Sequence, residues 1–174
     1  VSYHSQTNNI KSSRVEFMNL LNALKYFNSY TIIFTYPNHD LDSEFIIKKI
    51  KLFIKKNNNS YLFKSLGQEN FYECLKSFDC IIGNSSAGII EAPSAKIPTI
   101  NIGFRQRGRD LSKSIFSIEG NTIIIKKTIN KILKLKEKNL INYSNPYYKK
   151  NTAKLILSRL KSIDFLKLPP KNFK

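Results

Sequence analysis

Residues whose side chains suit a phosphorylated ligand are concentrated between positions 83 and 109. Ser85 and Ser86 follow a short apolar run where a helix should begin, and the unpaired N–H groups of a helix N-terminus attract anions. Glu91 lies about one and a half helical turns further on, where a carboxylate suits the paired hydroxyls of a ribose. Arg105, on a glycine-flanked loop with two further arginines, can reach a phosphate. The pattern favours a phosphate site, but it also fits an ordinary strand-to-helix turn with a capping serine and a solvated glutamate.

Two more polar residues follow predicted strands. His4 comes directly after residues 1–3, which have the character of the end of a strand, and Asn38 follows an apolar run at residues 30–36. In a doubly wound domain the carboxyl ends of parallel strands form the ligand crevice. We therefore place both residues at that crevice. The alternatives are that His4 is a bystander and that Asn38 only forms a turn with Asp40.

The elements that must position these residues alternate between strand and helix, which predicts a three-layer α/β domain with a parallel sheet. Apolar spacing predicts helices at residues 13–27, 43–56, 68–78, 128–138 and 152–163, and strands at 30–36, 61–63, 80–82, 98–102, 114–118 and 122–125. Asp42 or Ser43 should cap the second helix, and Thr128 the fourth. A very short helix should begin at Ser85 or Ser86 and end at Pro93, with Gly88 giving a ligand room to approach its first turn.

Size and charge narrow the class of protein. The chain has 174 residues, of which 41% are hydrophobic, and this is enough for the core of one domain. The formal net charge is +17, but the lysines are spread over the polar sides of several predicted helices without a nucleic-acid motif. We interpret them as solvated surfaces, and a basic nucleic-acid-binding module remains the non-catalytic alternative.

The cysteines and histidines predict neither a metal site nor a disulfide. Cys74 and Cys80 are not in a Cys-x-x-Cys pair, and the chain has only two histidines. No apolar run approaches the roughly 20 residues that span a bilayer, and no signal peptide is visible. We therefore expect a cytoplasmic protein with reduced thiols and no membrane segment.

The central stretch also resembles a known family. The run GNSSAGIIEAP at 83–93, followed by PTINIGFRQRGR at 98–109, is similar to the signature of the hydrolysing UDP-N-acetylglucosamine 2-epimerases. Further similar runs extend the likeness over nearly the whole chain; they lie at residues 36–40, 64–67 and 145–147. The chain departs from the family pattern at Ala87, at Phe104 and at residues 148–150.

This resemblance implies a fold and an organisation. Members of the family have two Rossmann-like halves of the glycosyltransferase B type, with the active site between them. The present chain resembles the C-terminal half, with a UDP-binding domain at residues 1–165 and a loose tail at 166–174. Its partners would then be the missing N-terminal half, a UDP-sugar and further copies of the protein. That half would also supply the acid and base carboxylates.

The resemblance also implies a reaction and site residues. The complete enzyme would eliminate UDP from UDP-N-acetylglucosamine through a glycal and then add water, releasing N-acetylmannosamine for sialic-acid-type sugars. His4 would be catalytic, and the UDP contacts would come from Asn38, Ser85, Ser86, Glu91 and Arg105. No metal or cofactor is expected. A UDP-diacetamido sugar as substrate and the donor half of a glycosyltransferase remain the alternatives within this fold.

Overall fold

Helices and strands alternate along the residues that the computed structural model describes, 1–6 and 9–167. The helices are α1 Ile10–Leu24, α2 Ser43–Ile54, α3 Gln68–Ser77, α4 Ala87–Ile90, α5 Thr122–Glu137 and α6 Thr152–Lys161. The strands are β1 Ile32–Thr35, β2 Ser60–Phe63, β3 Ile81–Gly83, β4 Thr99–Ile102 and β5 Ile115–Ile118. A short 3-10 helix, Phe165–Lys167, follows α6. Residues 7 and 8 and, in the predicted tail, residues 168–174 lie outside the described residues.

All strand pairs are parallel. β1 pairs with β2, and β3, β4 and β5 pair in that order. The first residues of the chain join the two groups, because Ser2 forms a parallel bridge with Gly83 and the backbone N–H of Thr35 donates to the carbonyl of Val1 at 3.1 Å. The strand order is therefore β2, β1, the N-terminal segment, β3, β4 and β5. The prediction of an α/β fold with a parallel sheet is confirmed.

Gly83 permits the close contact between β3 and the N-terminal segment. Its φ of +142° lies in the region that favours glycine, and a Cβ at this position would overlap the backbone carbonyl of Ser2. A larger residue would therefore separate the strands at the point where His4 leaves the sheet.

Helices cover both faces of the sheet. Consecutive residues of β3 point to opposite faces, so Ile82 joins the main core with α1, α2 and α5, whereas Ile81 joins a smaller cluster beneath α3. Completely buried members of the main core include Phe17, Leu20, Phe34, Ile100, Ile125 and Ile132. On α3 only Leu75 is fully buried, and Phe71 and Phe78 pack at the margin of the smaller cluster.

The predicted strand at 122–125 is wrong, because these residues form the first turn of α5. Asn121 caps this helix, and its side-chain oxygen accepts from the N–H groups of Ile123 at 2.9 Å and Ile124 at 3.2 Å. Thr128 is therefore inside the helix instead of at its cap, and its hydroxyl donates to the carbonyl of Ile124 at 2.8 Å. A run of β-branched residues favours strand locally, but the capping bonds and the burial of Ile125 in the core decide for helix.

The predicted cap of α2 is only partly correct. Asp42 occupies the N-cap position, but its side chain makes no capping bond. The carboxylate instead accepts from the guanidinium of Arg14 on α1, with Nε–Oδ2 at 2.9 Å. Asp42 therefore ties α2 to α1. None of the helices in the described ranges is long and apolar enough to cross a membrane.

Candidate functional site

Three of the predicted site residues meet at the carboxyl end of the sheet, around a residue that the prediction did not single out. His4, Asn38 and Arg105 leave the N-terminal segment, β1 and β4, respectively. His4 and Arg105 both bond to Asn84, which directly follows β3, and Asn38 bonds to the ring of His4. Hydrogen bonds therefore join the residues at the bottom of the predicted crevice.

His4 is held as a neutral imidazole. It is only 7% exposed, and its Nδ1 atom accepts a hydrogen bond from the backbone N–H of Asn38 at 3.0 Å. Burial and, to a smaller extent, the charge of Arg105 lower the pKa of His4 from 6.5 to about 4, against a smaller opposing effect of Asp40. An accepting Nδ1 leaves the proton on Nε2, so this ring can donate a hydrogen bond from Nε2. That atom lies 3.5 Å from the hydroxyl of Ser2.

Asn84 connects this cluster, and the sequence pattern did not single it out. It is completely buried, and its side chain spans the backbone of His4, with Oδ1 accepting from the N–H at 2.7 Å and Nδ2 donating to the carbonyl at 2.9 Å. Its own carbonyl accepts from Arg105 at 3.0 Å and from Gln106 at 2.8 Å. An asparagine after a strand ordinarily indicates a turn, and nothing in the local sequence identifies a partner 80 residues away.

Ser85 and Ser86 precede a helix that is too short to form an anion-binding terminus. α4 has four residues, with Ser86 at its N-cap position and no side-chain capping bond. The hydroxyl of Ser85 accepts from the N–H of Ala87 at 3.4 Å. Because the dipole effect grows from aligned peptide units, α4 contributes little of it. Anion binding at this turn would depend on the loop N–H groups, the hydroxyls and the guanidinium of Arg105.

Gly88 does not have the predicted role. It is buried, and a Cβ there would lie 2.6 Å from Cγ2 of Thr99 on β4. The hydroxyl of Thr99 donates to the carbonyl of Gly88 at 2.7 Å. This glycine therefore lets α4 pack closely on the sheet, and the space beside it is filled by the protein.

Glu91 presents an unpaired carboxylate oxygen. It lies at the C-cap of α4, and its Oε2 atom is buried without a hydrogen-bond partner among the described residues. Burial raises the pKa of Glu91. Within the described part of the chain no hydrogen bond joins its side chain to His4 or Arg105. A hydroxyl donor from a ligand would satisfy this oxygen.

The basic loop after β4 has three exposed arginines and one buried residue, Gln106, that holds the loop to the domain. Arg105, Arg107 and Arg109 are exposed, whereas Gln106 between them is only 4% exposed. The Nε2 atom of Gln106 donates to Asn84, but its Oε1 atom is buried without a partner in the described residues. The side chain of Asn38 is exposed as well, and among the described residues only its backbone N–H takes part in the cluster.

The site differs from the apolar cavity in the same domain. That cavity has a volume of about 500 Å³ and is lined mainly by apolar residues from β1, β3, α1, α3 and α5, with none of the predicted site residues among them. In residues 1–6 and 9–167 no group of three or more histidines, cysteines and carboxylates is arranged to hold a metal. Cys74 and Cys80 are free thiols.

The chain is similar in sequence to known proteins, and one of these relatives aligns with its whole length. A family model described as UDP-N-acetylglucosamine 2-epimerase matches residues 1–161. Polysialic acid biosynthesis protein P7 of Escherichia coli is 35% identical over 100% of this chain, which covers 44% of that protein. The GDP/UDP-N,N'-diacetylbacillosamine 2-epimerase (hydrolyzing) of Campylobacter jejuni is 36% identical over 71% of this chain and 32% of that protein. The chain thus spans less than half the length of these relatives.

Two solved structures share the fold. The UDP-GlcNAc 2-epimerase from Neisseria meningitidis bound to UDP-GlcNAc has a TM-score of 0.61 and 18% identity, over 85% of this chain and 40% of that chain. The S. aureus MnaA-UDP co-structure has a TM-score of 0.65 and 16% identity, over 99% of this chain and 47% of that chain.

Proposed function

The chain belongs to the UDP-N-acetylglucosamine 2-epimerase family, and on that premise we propose that it is the UDP-binding half of a hydrolysing 2-epimerase. The complete protein eliminates UDP from a UDP-N-acetylhexosamine through a glycal and then adds water to release the sugar inverted at C2. UDP-N-acetylglucosamine and a UDP-diacetamido sugar are both candidate substrates, since relatives of both descriptions are similar to this chain.

One observation carries this proposal. A neutral histidine and an arginine bond to the same buried residue, Asn84, at the carboxyl end of the sheet. The negative charge on a departing diphosphate increases as its bond to the sugar breaks. A positioned guanidinium and an imidazole N–H both stabilise such charge, and fixed donors need little reorganisation during the reaction.

Each predicted residue has a part in this proposal. Arg105, Ser85 and Ser86 bind the diphosphate, and Asn38 contacts the nucleotide. Glu91 accepts hydrogen bonds from the ribose hydroxyls through the oxygen that lacks a protein partner. His4 acts on the leaving group from Nε2. In this role His4 is a neutral hydrogen-bond donor and not a protonated imidazolium that acts as an acid, because burial and Arg105 lower the pKa of His4 to about 4.

The rest of the enzyme belongs to the proposal as well. Acid and base carboxylates come from an N-terminal half that closes over the crevice, and residues 1–165 form the UDP-binding domain. A role in nonulosonic or sialic acid biosynthesis, assembly with further copies and a cytoplasmic location are proposed with it. No cofactor is proposed, because arginine and loop N–H groups can neutralise the diphosphate.

Titration calorimetry on this chain tests the proposal, with UDP, uridine and inorganic diphosphate as ligands. We expect one saturable UDP site of modest affinity, since part of the contact surface lies in the other half. We also expect no release of free sugar from UDP-N-acetylglucosamine. Failure of the folded chain to bind UDP would overturn the proposal. Binding of single-stranded nucleic acid that weakens steeply with salt would indicate the basic module instead.

Product analysis with a longer protein that includes the N-terminal half separates the two enzyme classes. Free UDP and free N-acetylmannosamine, formed without an acceptor, indicate the epimerase. Transfer of the sugar to an acceptor would indicate a glycosyltransferase.

A further inference from the structure

We propose that Asn84 is a positioning residue that holds His4 and Arg105 in the single arrangement that receives a nucleotide diphosphate. This inference rests on the proposed function for the identity of the ligand. The arrangement itself is a property of the chain without ligand, so it can be tested separately.

Asn84 fixes the backbone of His4 where the strand pairing ends. β3 and the N-terminal segment stop pairing at the Ser2–Gly83 bridge, after which the N–H of Asn84 still donates to the carbonyl of Ser2 at 3.1 Å. The side-chain amide of Asn84 then bonds both backbone groups of His4, at 2.7 and 2.9 Å. It thereby continues the ladder beyond the strand. Only an amide offers an acceptor and a donor in this geometry, since an ionised carboxylate only accepts.

Asn84 also anchors the arginine loop. The carbonyl of Asn84 accepts from Arg105 and Gln106 together, at 3.0 and 2.8 Å, and so uses both of its lone pairs. Arg105 donates from Nη1 in this bond, and a guanidinium has five N–H donors in all. The loop is therefore anchored on the residue that fixes His4, while Arg105 keeps donors for a ligand.

The fixed backbone of His4 also determines the tautomer of its ring. With the His4 backbone fixed, Nδ1 lies 3.0 Å from the backbone N–H of Asn38, and the proton stays on Nε2. Release of the backbone would allow the ring to leave this bond, and both neutral tautomers would then form. Asn84 acts through His4 and Arg105. If Asn84 positions His4, its removal changes the tautomer of the ring. A variant that is merely less stable keeps the wild-type tautomer in its folded state.

The ligand-free test uses the Asn84→Ala variant and nitrogen-detected NMR of the imidazole. We expect wild-type His4 to show the Nε2–H tautomer alone, and the variant to show both tautomers with a pKa closer to the ordinary 6.5. Asn84→Asp keeps the shape and the acceptor but loses the donor, and it replaces the alanine variant if that variant does not fold. An unchanged tautomer in the folded variant would overturn the inference.

The ligand test compares UDP with uridine. Asn84→Ala should weaken UDP binding about 10-fold and leave uridine binding unchanged. The double variant with Arg105→Ala should lose less UDP affinity than the sum of the losses in the two single variants. Additive losses, or equal losses for the two ligands, would show that Asn84 does not act through Arg105.

Asn59 supplies the matched control, because its side chain also bonds two backbone carbonyls, those of Phe27 at 3.2 Å and Tyr30 at 2.6 Å. Asn59→Ala should lower the free energy of unfolding without changing the His4 tautomer or the UDP affinity. If the wild-type chain binds no UDP, the proposed function fails, but the NMR comparison still decides whether Asn84 positions His4.

Discussion

The backbone N–H of Asn38 donates a hydrogen bond to Nδ1 of His4 across 3.0 Å. The bond joins the turn after β1 to the N-terminal segment, and it leaves Nε2 as the protonated nitrogen of the ring. Protonation of Nδ1 would break this bond and place a charge in a buried position beside Arg105. His4 is therefore a donor with a fixed tautomer, and its titration is coupled to folding.

The first prediction concerns stability as a function of pH. The pKa of His4 is about 4 in the folded chain and 6.5 in the unfolded chain, so the unfolded state binds the proton first as the pH falls. Stability should decrease from about pH 6.5 downward and level off for this group below about pH 4. Between about pH 7 and about pH 5 the loss should be about 2 kcal/mol. Urea unfolding at each pH measures it.

The His4→Gln variant is the control, because it cannot titrate in this range. Its free energy of unfolding should decrease less than that of the wild type over the same interval. Equal pH slopes for the two proteins would show that the ring of His4 titrates normally in the folded chain.

The sequence predicted most of the fold because its signals act over short distances. Apolar periodicity located every strand of the sheet, and strand ends located His4, Asn38 and Arg105. The strand prediction for the run from Ile123 to Ile125 was wrong for a physical reason. Three β-branched residues favour strand, and the competing signal was a single capping asparagine before them.

The sequence did not predict the hydrogen-bonded cluster around Asn84, because its bonds link residues that are far apart in sequence. Asn84 reaches His4 over 80 positions and Arg105 over 21. Gly88 was misinterpreted for the same reason, since the atom that requires a glycine there belongs to Thr99. The roles of Ser85, Ser86 and Glu91 in UDP binding stay predictions.

The second prediction concerns Arg105→Ala. A charge-assisted hydrogen bond contributes about 1.5–3 kcal/mol, so UDP binding should weaken by roughly that amount and uridine binding should not change. Arg107→Ala is the matched control on the same loop, because that side chain is also exposed and no bond from it to Asn84 is found in the described residues. Calorimetry with both ligands provides the measurement. Equal losses for UDP and uridine would exclude Arg105 from the diphosphate site.

The third prediction tests the packing of α4 on β4. Gly88→Ala places a methyl group 2.6 Å from Cγ2 of Thr99, and overpacking of this kind costs about 1–3 kcal/mol. Thr99→Ser removes that carbon but retains the hydroxyl that donates to Gly88. The double variant should therefore recover much of the lost stability in denaturant unfolding. Strictly additive losses would show that the clash lies elsewhere.

The last prediction concerns Glu91→Gln. The variant keeps the shape of the side chain but replaces an ionised acceptor by a neutral amide, so UDP and uridine binding should weaken by roughly 1 kcal/mol or more. The binding of inorganic diphosphate should not change, because this ligand carries no ribose.

The stability of the Glu91→Gln variant follows from the burial of this side chain. Burial raises the pKa of Glu91, which means that its ionised form opposes folding. At neutral pH the variant should therefore be at least as stable as the wild type. Glu73→Gln, on the exposed side of α3, is the control and should leave all three affinities unchanged. An unchanged UDP affinity in Glu91→Gln would remove this residue from the ribose site.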